Sequence, residues 1–163
     1  MEIYILRHGV AEEPQTGQPD SERALTPDGR KKLRNVLRTA SSAGVAPSLI
    51  LTSPYKRALQ TAQFAAEILD YKGELLRTKA LEPGSSPKAV WDEIRVHKDE
   101  AQILLAGHEP LFSRLTAYLL GSPNLQVDFK KGAIMRIDLE SFGAQPRGIL
   151  CWYLTAKLSA SRE

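Results

Sequence analysis

Four short runs of apolar residues constrain this chain most. Ile3–Leu6, Leu49–Leu51, Leu75–Leu76 and Ile103–Ala106 are each apolar without interruption. A strand with one face in water alternates apolar and polar residues, so an unbroken run belongs to a strand covered on both faces. After each run comes a segment with a helical start signal. Thr26-Pro27, Ser53-Pro54, Ser86-Pro87 and Glu109-Pro110 each place proline at the first helical position, where its missing N–H costs nothing. The residue before it can accept from an orphan N–H. Leu33, Val36, Leu37 and Ala40 form one apolar stripe, with Gly44 as a stop. Ala58, Leu59, Ala62, Ala66 and Leu69 form a second, and Leu111, Leu115, Tyr118 and Leu119 a third that ends at Gly121.

Strands alternating with helices predict an α/β fold, a three-layer α/β/α sandwich with a mostly parallel central sheet. The C-terminal part reads differently. Ala133–Leu139 and Ile149–Leu154 are strand-like and are joined by a stretch containing Gly143, Pro146 and Gly148, which predicts a C-terminal β-hairpin. Residues 1–156 are read as a single domain, and 157–163 as a frayed tail.

Charge and cysteine content narrow the function. The 22 basic and 19 acidic residues leave a net charge of +3, scattered along the chain, which does not call for nucleic acid. Arg30-Lys31-Lys32 and Lys130-Lys131 read as solvated surface. Cys151, the one cysteine, lies in an apolar run and is expected to be a small core residue. His8, His97 and His108 are widely spaced, so no metal site is expected, and His97 reads as a surface residue. No apolar stretch reaches the roughly 20 residues of a membrane span, and a strand begins where a signal peptide would lie. A cytoplasmic protein is the expectation.

In an open α/β sheet the site lies beyond the carboxyl ends of the strands. Arg7 and His8 follow the first run, Ser53 and Arg57 the second, Glu82 the third, and Gly107 and His108 the fourth. If the strands are parallel, two arginines, two histidines and a carboxylate converge. A neutral imidazole can attack phosphorus, and a guanidinium offers phosphoryl oxygens a planar fork of donors. Arg57 lies in the first turn of its helix, and helical side chains lean toward the N-terminus, so it can reach back over the strand ends.

Leu6-Arg7-His8-Gly9, Ser53-Pro54 with Arg57 and Thr61-Ala62, and Gly107-His108 together resemble the histidine phosphatase superfamily. Asp20, Arg23, Leu25-Thr26 and Gly29, with the small size of the chain, are most similar to the short bacterial phosphohistidine phosphatases. The resemblance implies that His8 is the nucleophile that becomes phosphorylated. It implies that Arg7, Arg57 and His108 surround the phosphoryl oxygens. Glu82 corresponds only approximately to the general acid of the larger phosphatases and mutases. No cofactor is implied.

The expected reaction removes phosphate from phosphohistidine on a protein, such as a histidine-containing phosphotransfer domain in signal transduction. Phosphoryl transfer to His8 is followed by hydrolysis. Imidazole leaves more readily than an alkoxide and depends less on an acid. The 79–101 region is also short for a lid over a small metabolite. His8 must be neutral while a charged His108 would serve best, so a bell-shaped pH–rate profile is expected. The alternatives are a small-molecule phosphomonoesterase or mutase of the same superfamily, and a non-catalytic phosphate-binding module. A dinucleotide-dependent oxidoreductase fits poorly, because no G-x-G-x-x-G follows the first strand.

Overall fold

A computed structural model describes residues 1–160 of the chain. Six strands form one sheet: β1 (Glu2–Arg7), β2 (Leu49–Thr52), β3 (Leu75–Arg77), β4 (Gln102–Gly107), β5 (Ile134–Leu139) and β6 (Gly148–Leu154). Their spatial order is β3-β2-β4-β1-β5-β6. The first four are mutually parallel, and β5 and β6 form the antiparallel hairpin that the turn residues predict.

The unbroken apolar runs are explained by the layers on either side. Ile3 and Ile5 of β1, Leu49 and Leu51 of β2, and Ile103 and Leu105 of β4 face one core, with Val90, Trp91 and Ile94 of α3 (Pro87–Val96) and Leu111, Phe112, Leu115 and Leu119 of α4 (Leu111–Leu119). Tyr4, Leu6, Ile50, Leu104 and Ala106 face the other core. There they meet Leu33, Val36, Leu37 and Ala40 of α1 (Pro27–Ser42), and Ala62 and Ala65 of α2 (Lys56–Ile68). The α/β/α sandwich is therefore as expected. β3 departs from the both-faces reading: it is an edge strand paired only with β2, and Leu76 is exposed.

Two of the four helix starts follow the expected pattern. Thr26 Oγ1 accepts from Gly29 N and Ser86 Oγ from Ala89 N, with Pro27 and Pro87 first in their helices. The other two begin later. Tyr55, not Ser53, is the N-cap of α2, and Pro110 is itself the N-cap of α4. Ser53 is committed elsewhere, whereas Glu109 still accepts from a free N–H of the first turn of α4, as expected of it. Ser53 Oγ accepts from Tyr55 N and pairs with His108, while Glu109 Oε1 accepts from Ser113 N at 2.6 Å.

Cys151 also departs from expectation. It is exposed, because β6 is the outer strand of the hairpin and Ile149, Leu150 and Cys151 all lie open to solvent. Residues 157–159 of the expected tail are helical. Ala156–Ser159 form a short helix, α5, capped by Thr155 and packed on α1. Residues 161–163 of the expected frayed tail lie outside the described residues. Among the described residues no helix is long and apolar enough to cross a membrane.

Candidate active site

The carboxyl ends of β1, β2 and β4 are stitched to one another just before the functional side chains emerge. His8 N donates to Gly107 O at 2.9 Å, and Ser53 N donates to Ala106 O at 3.0 Å. These bonds extend the parallel ladders by one residue, so His8, Ser53 and His108 leave the sheet together. The chain after His8 must then pass close to α1. A Cβ on Gly29 would collide with the backbone of Val10, so glycine is what allows that approach.

His8 is buried, with its Nδ1 2.7 Å from Gly9 O. A carbonyl oxygen can only accept, so Nδ1 carries the ring proton and Nε2 presents a lone pair. Nε2 faces Arg57, whose Nε lies 3.4 Å away. Burial, opposed by the Gly9 carbonyl and aided by Arg57 and Arg7, pushes the His8 pKa from 6.5 to about 3. At neutral pH the imidazole is therefore uncharged and nucleophilic.

His108 lies with its ring centroid 5.2 Å from that of His8, and Tyr55 meets it edge-on at 5.2 Å. Its Nε2 pairs with Ser53 Oγ at 2.8 Å, and its buried Nδ1 has no hydrogen-bond partner. Burial first, then the neighbouring His8 and Arg57, lowers its pKa to about 3. The charge expected on His108 is thus absent from the ligand-free site. A phosphoryl dianion is the opposite charge that would restore it.

Arg57, 4% exposed, is the most constrained of the cations. Its Nη1 donates to Asp20 O at 2.8 Å and its Nη2 to Asp20 Oδ2 at 3.0 Å, and its guanidinium lies over the Tyr55 ring. Thr61, one turn further along α2, accepts from Gly9 N and donates to Arg57 O, tying the helix to the loop after His8. Arg7 donates from Nη1 to Phe129 O at 2.6 Å, while its buried Nε has no partner. Burial lowers its pKa from the ordinary arginine value. His8, His108 and Arg57 therefore form one electropositive, mostly buried centre, and Arg7 adds its charge to it, acting electrostatically on both histidines. Such a centre suits a tetrahedral oxyanion.

The structure brings His8, Arg57, Ser53 and His108 into direct contact, as the strand-end reading anticipates. Glu82 stands apart. It caps the 3₁₀ turn Lys79–Leu81 and lines a shallow depression with Ser21, Glu22, Pro54 and Tyr55. Among the described residues its carboxylate has no hydrogen-bond or ion-pair partner, so it sits at the rim beside Tyr55 rather than against either histidine. Two contacts escape a reading of the strand ends, the Phe129 carbonyl and Asp20. Asp20 is marked in the sequence by the segment with Arg23, Leu25-Thr26 and Gly29 that carries the family resemblance, but without a role, and it pairs with Arg23 at 2.8 Å. Among the described residues no cluster of three histidine, cysteine or acidic side chains could hold a metal ion.

Comparison with known proteins agrees with this geometry. The histidine phosphatase superfamily (branch 1) profile matches residues 3–81. An uncharacterised protein of Picosynechococcus sp. is 30% identical over 137 residues, 83% of each chain. The structure of the protein histidine phosphatase SixA complexed with tungstate superposes with a TM-score of 0.85 at 25% identity, over 96% of this chain and 98% of that one. The α-ribazole phosphatase from Shigella flexneri shares the fold at 19% identity and a TM-score of 0.70, over 93% and 95% of the two chains. The chain belongs to the histidine phosphatase superfamily and is by class a phosphatase.

Proposed function

We propose that this protein is a phosphohistidine phosphatase that acts on a phosphorylated protein, with His8 as the nucleophile. The observation that carries the reading is the tautomer of His8: Nδ1–H is committed to Gly9 O, and the Nε2 lone pair faces the arginine. In the first step Nε2 attacks phosphorus. The P–N bond to the substrate imidazole breaks, and its electrons go to the leaving nitrogen, which is then protonated. In the second step water attacks phosphorus, the bond to Nε2 breaks, and phosphate leaves. Entering phosphoryl oxygens take over the Arg57 Nε–H that now points weakly at Nε2. They also meet the unpaired Arg7 Nε and His108 Nδ1.

Two features favour phosphohistidine over a phosphate ester. Among the described residues no carboxylate hydrogen-bonds or ion-pairs with His8 or His108, and Glu82 lies in the depression beside Tyr55, which suits a leaving group that needs little help from an acid. The likeness to protein histidine phosphatase SixA points the same way. A histidine-containing phosphotransfer domain is the kind of protein that displays such a group, and a cytoplasmic setting in signal transduction goes with this reading. The alternative substrate, a small phosphomonoester, is kept in view by the fold shared with α-ribazole phosphatase.

The test is rapid-quench labelling with a radiolabelled phosphohistidine protein. Acid-labile, base-stable label should appear on the wild type and be absent from His8→Ala. Label retained by His8→Ala would remove the nucleophile. Faster turnover of phosphomonoesters than of the phosphohistidine protein would reverse the substrate.

A further inference from the structure

We propose that Asp20 is a positioning residue for Arg57, aiming its guanidinium at the phosphoryl site and offsetting part of its charge so that inorganic phosphate is released. The proposal rests on the reading of Arg57 as a phosphoryl contact, whichever group carries the phosphate.

Asp20 grips Arg57 twice, through its backbone carbonyl on Nη1 and its carboxylate on Nη2. A planar guanidinium held at both Nη atoms cannot turn about its Cζ–Nε bond. Its remaining edge, the Nε–H, is thereby directed at His8 Nε2. The clamp is itself braced. Asp20 Oδ1 accepts from Nε and Nη2 of Arg23, and Arg23 Nη1 donates to Glu12 O. One carboxylate therefore stands between two guanidiniums, with one oxygen for each.

Packing does not account for this placement. The 3₁₀ turn Asp20–Glu22 contains no buried residue, and the Asp20 side chain is 55% exposed. The contrast with Arg7 is also informative. Among the described residues Arg7 has a carbonyl partner and no hydrogen-bonded carboxylate, with Glu109 and Asp128 acting on it only from further off, so only Arg57 is paired directly with a negative charge. Although partial burial alone raises it, hydrogen bonds from Arg23 and Arg57 hold the Asp20 carboxyl below its ordinary range, so it stays ionised at neutral pH. Two uncompensated arginines would bind the substrate and the departing phosphate alike, and tight product binding slows turnover.

Charge and aim are separated by two variants. Asp20→Asn keeps one side-chain oxygen for Nη2 and the backbone carbonyl for Nη1, and loses the charge together with the acceptor that serves Arg23. Asp20→Ala also loses the side-chain acceptor. Inorganic phosphate is titrated calorimetrically into the wild type, both variants and Asp92→Asn. The last makes the same charge change on the exposed face of α3, where Asp92 pairs with Lys88. Turnover is followed with p-nitrophenyl phosphate, which presupposes no protein substrate. Asp20→Asn should bind phosphate about three- to ten-fold more tightly, the effect of removing one partly solvated charge near a dianion. Its kcat should fall by no more than about that same factor, as tighter product binding requires, while Asp20→Ala should lose about a further ten-fold, in line with the cost of a misaimed group. Asp92→Asn should change neither. Phosphate affinity unchanged or weakened in Asp20→Asn, or wild-type kcat in Asp20→Ala, would overturn the proposal. Failure of the wild type to turn over a phosphohistidine protein would overturn only the substrate reading.

Discussion

The two buried histidines should make the protein acid-sensitive in a measurable and separable way. His8 and His108 each have a pKa near 3 when folded, against 6.5 for an unperturbed imidazole. Between these values the unfolded chain binds a proton at each site and the folded chain does not, so stability rises with pH across that window. Above 6.5 both states are neutral and the contribution vanishes. At pH 5.0, about 1.5 units below the unfolded value, each histidine costs roughly 2 kcal/mol, at about 1.4 kcal/mol per unit. The pair together removes about 4 kcal/mol, a large share of the roughly 5–15 kcal/mol of an ordinary domain. The assay is urea denaturation at pH 7.5 and 5.0 of the wild type, His8→Asn and His108→Asn. Carboxylates titrate equally in all three proteins and cancel in the comparison. Each variant should lose about 2 kcal/mol less than the wild type on acidification. An identical loss in all three would refute the assignment of both rings as neutral and desolvated.

The same depressed pKa values move the acid limb of the expected pH–rate profile. For the free enzyme, kcat/KM should not fall between pH 8 and 5 through protonation of His8, and a midpoint near 6.5 that vanishes in no other variant would contradict that. Glu82→Gln should leave phosphohistidine hydrolysis within about three-fold in parallel assays with a phosphate ester, and a roughly 10²-fold loss of ester hydrolysis, that of a removed general acid, would contradict the rim placement of Glu82. Ser53→Ala leaves His108 with neither ring nitrogen paired to protein. It should cost about 1–3 kcal/mol of stability by denaturant titration, and activity should fall with it.

What could be read in advance follows from where the physics is local. The buried strands show themselves because both faces are covered, and Thr26 and Ser86 show their helix starts because a cap bonds within three residues. Arg7, His8, Arg57 and His108 are legible because parallel strands bring their carboxyl ends together whatever the loops do. Ser53 is legible as a strand-end residue and Glu109 as a cap, but the bond between Ser53 and His108 spans 55 residues and leaves no local sign in the sequence. Cys151 fails because an apolar hexad can equally be an outer strand, and nothing within it says that no further strand lies beyond. Asp20 is marked by the family resemblance, but its contact with Arg57 stays hidden for a related reason: the partner is 37 residues away, and polar loop residues carry no periodicity.

The register of β1 against β4 has one more consequence. Arg7 stands opposite Gly107, so the two histidines are consecutive outgrowths of adjacent central strands. Neighbouring strands lie about 4.8 Å apart, and that spacing is set by backbone hydrogen bonds rather than by side-chain packing. The gauge between the two imidazoles is thus written in peptide geometry, and no point substitution can widen or narrow it much. The segments around it, 10–26 and 79–86, carry no such constraint. Sequence divergence can remodel the rim against new phosphorylated partners while the bore of the site keeps the calibre of a single phosphoryl group.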